Sequence, residues 1–534
     1  MKKDNLDIEK VRALHQAGQL GQAEAGYLAI LRKNPRNVDA LHALGILYTQ
    51  QKNFADAIKY LQAAVKYQPG NSILQLHLAN VLKAQGLFEQ AAAILQKTLA
   101  DNPHYVSALN NLGTVFYAQG KLSEAIKVYR SAIQQEPLFI DAYYNLGLAL
   151  NKQNFLDEAV TTYRKLLELA PEHFAARFHL ACILMKQDKI DDALVELTEV
   201  AKSQPYHFET QSNIAVCYLK KGELNSAKIH YLQALEFMPN DVQILFNLGI
   251  INTQQGNVDS AIQFYQKAVR HNPDFFAAHN NLGVAFLAKQ HTAFALHHFQ
   301  EAARLQPDNS SIQYTIQALS QNQPVLSAPT DYVKSLFDAY ADHYEQHLLT
   351  ALDYQLPAHL QRIIAAAHPA QASWDILDLG CGTGLCGMVV KPFAKTLAGV
   401  DLSEKMLEAA AAKKIYDTLQ CDELNVFLAS RHAEYDLILA GDVLVYMGDL
   451  SALFQHIQHA LRINGLFAFN TEISENEDYK MNQSGRFSHS KKYLDELAKK
   501  NHLSIFHYEK AITRMQNNEP VYGHLYIFQH HPRK

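Results

Sequence analysis

The segment HYVSALNNLGTVFYAQGKLSEAIKVYRSAIQQEP, residues 104–137, decides the fold of the first half of this chain. Its Gly113 and Ala125 recur every 34 residues, the first as glycine or alanine and the second as alanine. Its final proline recurs with the same step. Small residues let two helices approach closely, and proline cannot sit inside a helix, so the period predicts an array of helical hairpins. The prolines are Pro35, Pro69, Pro103, Pro137, Pro171, Pro205, Pro239, Pro273 and Pro307.

This pattern resembles the tetratricopeptide repeat, with nine units between residue 4 and about residue 309. The resemblance implies an α-solenoid in which each unit contacts only its neighbours and a long groove is formed. The first unit is degenerate, because Val11 stands where later units have glycine or alanine, which suits an end cap. The apolar pattern from Ile312 to Leu319 predicts a closing helix.

Asparagine recurs two residues before the small residue of the repeat. In a right-handed stack these side chains should line the inner face, where a carboxamide can both donate to and accept from a peptide backbone. A row of them would clamp an extended peptide; the alternative is that they only contact the next helix. The predicted peptide-binding residues are Asn111, Asn145, Asn213, Asn247 and Asn281.

The second half contains WDILDLGCGTG, residues 374–384, in which a short apolar strand runs into glycines. A helix and a second strand ending at Asp401 follow, as in the β-turn-α-β opening of a doubly wound α/β sheet. Gly382, Gly384 and Gly387 also satisfy the G-x-G-x-x-G pattern of dinucleotide sites. Against that alternative, the strand ends early, and Asp378 stands where such sites usually have an apolar residue.

Asp-x-Gly-x-Gly-x-Gly resembles motif I of class I S-adenosylmethionine (SAM)-dependent methyltransferases, and the resemblance extends from about residue 331 to 530. Together with the repeats, it resembles a bacterial group of predicted repeat-containing methyltransferases. Residues 440–443 lack the Asn/Asp-Pro-Pro-Tyr/Phe pattern of base methyltransferases, which argues against DNA as substrate. The resemblance implies SAM as cofactor, with Asp401 on its ribose. The implied cofactor-binding residues are Asp378, Gly380, Cys381, Gly382, Gly384, Asp401, Leu402, Met406, Asp422, Glu423 and Gly441.

Three residues beyond the motif are predicted to be catalytic: Asp442, Tyr446 and His489. Asp442 could accept a proton or hold an amine, or it could cap the following turn. His489 could act as a base, because histidine titrates near neutral pH, or it could simply precede a helix. Arg486 could pair with a substrate carboxylate or form a surface salt bridge.

Composition narrows the partners. The net charge of −5 disfavours nucleic acid, and no uninterrupted apolar run is long enough to predict a membrane span. Five cysteines without a close pair favour a reducing compartment, so a cytoplasmic protein is expected. His456 and His459 lie three residues apart, but no cysteine or carboxylate cluster nearby in the sequence completes a metal site, so none is predicted. The aromatic stripe within residues 331–348 is interpreted mainly as core.

The sequence therefore predicts a repeat solenoid with its closing helix over residues 1–322, a linker at 323–330 and a methyltransferase domain at 331–534. The leading hypothesis is a SAM-dependent methyltransferase whose repeats recruit a protein or peptide. The alternatives are an adaptor whose methyltransferase domain senses SAM or is inactive, and a small-molecule methyltransferase with repeats that only localise it.

Overall fold

The computed structural model describes residues 2–321, 325–351, 354–367, 373–516 and 519–532. It divides into two compact units, Met1–Ile244 and Leu245–Lys534. The first unit consists of antiparallel helix pairs. Its helices are α1 (Lys2–Gln16), α2 (Leu20–Lys33), α3 (Val38–Gln50), α4 (Phe54–Tyr67), α5 (Ser72–Ala84), α6 (Phe88–Asp101), α7 (Val106–Ala118), α8 (Leu122–Gln135), α9 (Ile140–Lys152), α10 (Leu156–Leu169), α11 (Phe174–Lys186), α12 (Ile190–Ser203), α13 (Phe208–Lys220) and α14 (Leu224–Phe237).

The recurring small residues do what the period predicts. A Cβ atom added to Gly113 on α7 would lie 2.4 Å from the Tyr129 ring on α8, so only glycine allows this ring to pack against the helix. In the first repeat, α1 and α2, the glycine lies on the second helix and not on the first. Gly26 on α2 makes room for Val11 on α1, and a Cβ atom at Gly26 would lie 2.6 Å from the valine. The recurring alanines are all fully buried: Ala23, Ala57, Ala91, Ala125, Ala159, Ala193, Ala227, Ala261 and Ala295.

The repeats continue in the second unit, and the predicted closing helix is confirmed as α19. Its apolar residues pack on those of the preceding pair around the Phe299 ring. The helices here are α15 (Val242–Gln254), which begins in the first unit, α16 (Val258–His271), α17 (Phe276–Ala288), α18 (Thr292–Leu305) and α19 (Ser310–Ser320).

A nine-stranded sheet forms the core of the remaining part of this unit. The strands are β1 (Trp374–Leu379), β2 (Ala394–Asp401), β3 (Thr418–Cys421), β4 (Tyr435–Ala440), β5 (Leu461–Ile473), β6 (Tyr479–Met481), β7 (Phe487–His489), β8 (Leu503–Gln516) and β9 (Glu519–His530). The first five are parallel in the order β3-β2-β1-β4-β5. Strand β5 continues into two pairings, antiparallel with β9 and parallel with β7 at its carboxyl end.

Helices cover both faces of this sheet, as a doubly wound fold requires. Along β1, Ile376 belongs to the apolar cluster on one face and Leu377 to the cluster on the other. The helices are α20 (Thr330–Tyr340), α21 (Tyr344–Gln346), α22 (Leu356–Ala367), α23 (Leu385–Val390), α24 (Glu404–Ala412), α25 (Leu424–Leu428), α26 (Ser451–Ala460) and α27 (Lys491–Lys500). The predicted fold class, a repeat array followed by a doubly wound α/β domain, is confirmed.

Candidate functional site

A cavity of about 380 Å³ opens at the carboxyl ends of β1, β2 and β4. This is the edge at which open parallel sheets hold their ligands. The wall combines backbone, carboxylates and aromatic rings. Its residues are Ser327, Ala328, Thr330, Val333, Phe337, Tyr344, Gly380, Gly382, Asp401, Leu402, Glu423, Leu424, Asn425, Gly441, Asp442, Val443, Tyr446 and Met447.

The turn after β1 depends on glycine. Gly380 has φ of 64°, and a Cβ atom at this position would lie 2.3 Å from a Val443 methyl group. Gly382 has φ of 53°, and its N–H donates a hydrogen bond of 2.8 Å to the Asp401 carboxylate. A side chain at either position would be strained. The turn therefore keeps backbone rather than side chains on this wall.

Asp401, at the end of β2, is held from two directions. One carboxylate oxygen accepts from Gly382 N and the other from Ser403 N, at 2.8 and 2.9 Å. Burial raises the pKa of this carboxyl group, and the two backbone N–H groups oppose that rise. Ser403 in turn donates its hydroxyl to Asp338 of α20 at 2.6 Å. The carboxylate is thus fixed in direction while it lines the cavity.

The structure places six of the eleven predicted cofactor residues on the cavity wall: Gly380, Gly382, Asp401, Leu402, Glu423 and Gly441. The other five lie outside the lining: Asp378, Cys381, Gly384, Met406 and Asp422. Asp378 is buried and accepts a hydrogen bond of 2.7 Å from the Tyr416 hydroxyl. Burial raises the pKa of Asp378 to about 7. Asp378, which the resemblance implies to be a cofactor-binding residue, is therefore engaged by Tyr416 beneath the cavity lining.

After β3, the lining residue is Glu423 and not its neighbour Asp422. The Asp422 carboxylate accepts from Gln420 and from the N–H of Glu423, so it stabilises the strand end. Glu423 caps α25 by accepting from Val426 N at 2.9 Å. Asn425, which also lines the cavity, donates its side-chain amide to Glu423 at 3.2 Å.

Part of the aromatic stripe before the sheet lines the cavity, and Val333 also packs against the buried cluster that includes Tyr314 and Phe487. Helix α20 has no fully buried residue, and two of its apolar side chains, Val333 and Phe337, line the cavity. Val333, Phe337 and Tyr344 all belong to the lining. The ring of Phe337 meets those of Tyr344 and Tyr446 edge-on, with centroids 5.9 and 5.5 Å apart.

Residues 325–329, part of the predicted linker, form another part of the wall. The Leu326 carbonyl accepts from the N–H groups of Gly448 and Asp449 at 2.8 and 3.0 Å. Ala328 donates its N–H to the Tyr446 carbonyl at 2.9 Å. This segment is therefore hydrogen-bonded along the loop that follows β4. Residues 323 and 324 of the predicted linker, and residue 322 of the predicted solenoid, lie outside the described residues.

Two of the three predicted catalytic residues, Asp442 and Tyr446, lie on the wall. Arg486 stands behind both, donating to the Asp442 carboxylate at 2.6 Å and to the Tyr446 hydroxyl at 3.3 Å. The same guanidinium donates to Glu472 at 2.7 Å. Arg486 is therefore neither free for a substrate nor a surface residue, because two buried carboxylates bind it.

Three further residues complete this cluster and were missed from the sequence: Asn470, Glu472 and Arg514. Asn470 accepts the N–H of Asp442 at 2.6 Å, which supports the left-handed backbone of Asp442, with φ of 61°. Arg514 donates to Glu472 at 2.9 Å. The available signal was the polar run Asn-Thr-Glu at the end of the apolar strand β5, where a doubly wound sheet exposes its ligand edge.

His489, the third predicted catalytic residue, is not brought into the cavity. It is fully buried in β7, with Nδ1 at 2.6 Å from the Thr471 hydroxyl and Nε2 at 3.0 Å from the Gly448 carbonyl. Burial lowers the pKa of the imidazole to about 4. Both ring nitrogens are engaged in hydrogen bonds inside the protein, so His489 joins β7 to Thr471 and Gly448 and does not face the cavity.

The asparagines of the repeats contact the neighbouring repeat. Asn111 and Asn145 each donate their amide to an asparagine of the preceding odd-numbered helix, Asn80 and Asn110, at 2.9 Å. Asn213 donates to the Cys182 sulfur at 3.5 Å. In the second unit, Asn281 donates to the Tyr265 hydroxyl at 3.4 Å, and Asn247 also has a partner. A bound peptide would have to share these amides or use their oxygens.

Within the described ranges, no group of three or more His, Cys, Asp or Glu side chains could hold a metal ion. No helix in the part of the chain that the structure describes is long and apolar enough to span a membrane. All five cysteines are free thiols.

Family models match the repeats and the sheet-containing domain separately. A methyltransferase-domain family model matches residues 377–467. Tetratricopeptide-repeat models match residues 8–72, 48–112, 113–154, 144–207, 208–241 and 251–290. The chain is a tetratricopeptide-repeat protein that carries a methyltransferase domain.

Curated relatives match a short stretch only. The biotin biosynthesis bifunctional protein BioHC of Saccharophagus degradans is 30% identical over 131 residues, 23% of each chain. The probable S-adenosylmethionine-dependent methyltransferase CRG1 of Saccharomyces cerevisiae is 30% identical over 18% of this chain and 34% of its own. The malonyl-[acyl-carrier protein] O-methyltransferase of Acetivibrio thermocellus is 28% identical over 18% and 35%. The chain thus spans about a third or less of each relative.

Among solved structures, the chain is similar to YrrB, described as a TPR protein with an unusual peptide-binding site. The two are 20% identical over 37% of this chain and 97% of YrrB, with a TM-score of 0.33.

Proposed function

We propose that this protein is a SAM-dependent methyltransferase whose repeats bind a protein or peptide partner. The observation that carries the proposal is the fixed Asp401 carboxylate beside the glycine turn, at the edge of the sheet where the methyltransferase family model matches. The domain limits that we propose are those predicted from the sequence, with residues 325–329 assigned to the cavity. Five free cysteines favour a cytoplasmic protein.

The residues present fit SAM. The ligand carries a positively charged sulfonium, and three carboxylates line the cavity, those of Asp401, Glu423 and Asp442. Asp401 would accept hydrogen bonds from the ribose hydroxyls, because its two oxygens are already aimed by backbone N–H groups. The turn at Gly380 leaves no side chain between the backbone and a ligand. A cavity of about 380 Å³ is within the usual size range for a small-molecule site.

SAM supplies an activated methyl group, so the protein's task is to orient the acceptor and exclude water. Orientation alone can contribute roughly 7–11 kcal/mol to such a reaction. Phe337, Tyr344 and Tyr446 provide an apolar wall on one side of the cavity. Asp442 provides a fixed hydrogen-bond acceptor, because Arg486 and Asn470 hold its side chain and backbone. No lining residue needs to change its protonation state during transfer.

The cofactor proposal is tested by calorimetric titration of the full chain with SAM, with NAD as the competing ligand. We expect SAM to bind and NAD not to bind. Asp401→Ala should weaken SAM affinity at least about tenfold, because the charged hydrogen bonds to the ribose are lost. Asp422→Ala is the matched control, since this carboxylate lies outside the lining, and it should leave the affinity nearly unchanged. Tighter binding of NAD would contradict the proposal.

The recruitment proposal needs a second experiment. Incubation of the full chain with methyl-labelled SAM and cell lysate, followed by separation of proteins from small molecules, should place the label on protein. The variant Asn111→Ala/Asn145→Ala should lower the labelling of that protein while leaving SAM affinity intact. Label confined to small molecules would contradict recruitment. SAM binding without any transfer would favour the adaptor or sensor.

A further inference from the structure

The cavity has carboxylates on its wall and, among the described lining residues, no lysine, arginine or histidine. Asp401 and Glu423 lie after β2 and β3, and Asp442 lies after β4. The Asp442 side of the wall also carries the rings of Phe337 and Tyr446. An anionic ligand group placed on that side would find no cation on the wall to pair with.

The nearest cation is already neutralised. Arg486 binds Asp442 at 2.6 Å and Glu472 at 2.7 Å, and Arg514 binds Glu472 at 2.9 Å. Two guanidinium groups and two carboxylates are linked in one network, and all four side chains are at most 14% exposed. A substrate carboxylate could reach Arg486 only by displacing one of these buried partners, which would leave that partner unpaired.

Asp442 stays ionised in this setting. Burial alone would raise the pKa of its carboxyl group, but the adjacent Arg486 outweighs burial and lowers the pKa. The side chain that faces the cavity is therefore an ionised hydrogen-bond acceptor whose charge is balanced in part by Arg486. It favours a partner that carries a hydrogen and, if charged, a positive charge.

The aromatic wall points in the same direction. Phe337, Tyr344 and Tyr446 line the same cavity as Asp442. The Tyr446 ring already has the Arg486 guanidinium 5.5 Å from its centroid, and the other two rings add apolar surface, which gives no favourable interaction to a carboxylate. A site built from an ionised carboxylate and three aromatic rings resembles a binding site for an amine or for a hydroxyl on an apolar body.

We infer that the methyl acceptor is an amine or a hydroxyl group, not a carboxylate. This inference rests on the proposed function and names its substrate class. The acceptor's N–H or O–H donates to Asp442, and its lone pair forms the new bond to the methyl carbon. The carbon–sulfur bond breaks, its electron pair stays on the sulfur, and the acceptor proton leaves to solvent, because ionised Asp442 is a weak base.

A pair of probes of equal shape and opposite charge tests this without turnover. The full chain, saturated with S-adenosylhomocysteine, is titrated in a calorimeter with benzylamine and, separately, with benzoate. We expect benzylamine to bind at least about tenfold more tightly, because a like charge beside Asp442 is unfavourable. The inference would be overturned if benzoate bound as tightly as benzylamine, or if neither probe bound.

Two variants locate the effect. Asp442→Asn should abolish the preference for benzylamine, because it removes the negative charge and keeps the shape. Asp478→Asn removes a charge from an exposed position outside the cavity and should leave the preference unchanged. An unaltered preference in Asp442→Asn would also overturn the inference.

The product gives an independent readout. Label transferred from methyl-labelled SAM to a lysate acceptor is treated with base, which hydrolyses methyl esters to volatile methanol and leaves N-methyl and O-methyl ether groups intact. We expect the label to stay non-volatile. Release of labelled methanol would overturn the inference while leaving the proposed methyltransferase function standing. Failure of SAM to bind at all would instead refute the proposed function.

Discussion

The repeats and the methyltransferase domain solve the problem of burial in opposite ways. In the repeats, the described buried side chains include no aspartate, glutamate, lysine or arginine, and the polar ones are mostly amides and hydroxyls. In the methyltransferase domain, Asp378, Asp401, Glu472 and Arg514 are all buried. The repeats owe their order to one apolar pattern used nine times, whereas the domain holds unlike charges at a single edge of its sheet.

The two parts of the chain differ in whether they bury charged side chains. Buried ion pairs seldom stabilise a fold more than apolar residues of the same size would, but breaking one is costly. Such pairs are therefore expected where a charge has a task. In this chain they lie behind the cavity wall, and the repeats have no buried charged side chain among their described residues.

Removing one member of the buried charge cluster should produce the largest effect. Arg486→Met leaves Asp442 and Glu472 without one cation and should cost roughly 3–5 kcal/mol of unfolding free energy. Trp374, the single tryptophan, lies in β1 and reports on this domain by its fluorescence during urea unfolding. Arg362→Met is the matched control.

Arg362 binds Glu509 through two hydrogen bonds of 2.8 and 2.9 Å, but its side chain is 58% exposed. Loss of this exposed pair should cost at most about 1 kcal/mol. If the two variants shift the urea midpoint equally, the contrast between the buried cluster and an ordinary ion pair is wrong.

The close packing of the repeats can be broken at one glycine. Gly113→Val puts a branched side chain where even a Cβ atom would lie 2.4 Å from the Tyr129 ring. We expect a loss of about 1–3 kcal/mol, the usual cost of overpacking, measured as a lower midpoint of the far-ultraviolet circular dichroism transition. Gly21→Ala has no atom within 4 Å of the new carbon and should be neutral or slightly stabilising.

The pH dependence of the domain offers the smallest test. The pKa of Asp378 is raised from 3.8 to about 7, so the folded state holds this proton at pH values where the unfolded state has released it. Stability from this group is therefore complete below about pH 4 and is lost as the pH rises towards 7. Asp378→Asn should make the urea midpoint depend less on pH. The fall in unfolding free energy between about pH 6 and 7 should become smaller by about 1 kcal/mol.

Asp449→Asn is the control for this measurement. The pKa of Asp449 is lowered by its hydrogen bond from Ser451, so this group is ionised in both states throughout that range. The slope should match that of the unaltered protein. An unchanged slope in Asp378→Asn would show that this carboxyl group is ionised in the folded protein.

Periodicity and one motif were enough to predict the elements that depend on local sequence. Helix pairs, the strand before Gly380 and the position of Asp401 follow from local pattern, because each depends on neighbours in the chain. The cluster around Arg486 does not, since its members come from β5, β8 and two loops that only the folded sheet brings together. The apolar face of α20 could not be assigned from sequence for a related reason: core packing and cavity lining give the same helical pattern.

The carbonyl of Leu326 has a practical meaning for anyone wishing to shorten this protein. Cutting the chain at Ser327 would remove an acceptor for two backbone N–H groups, and with it Tyr314, whose hydroxyl donates to the Gly485 carbonyl at 2.6 Å. Loss of methyl transfer in such a truncated protein would report damage to the cavity wall, and it would not test delivery of a partner by the repeats, the role proposed for them. Questions about delivery are better asked of the intact polypeptide, altered within its first 244 residues.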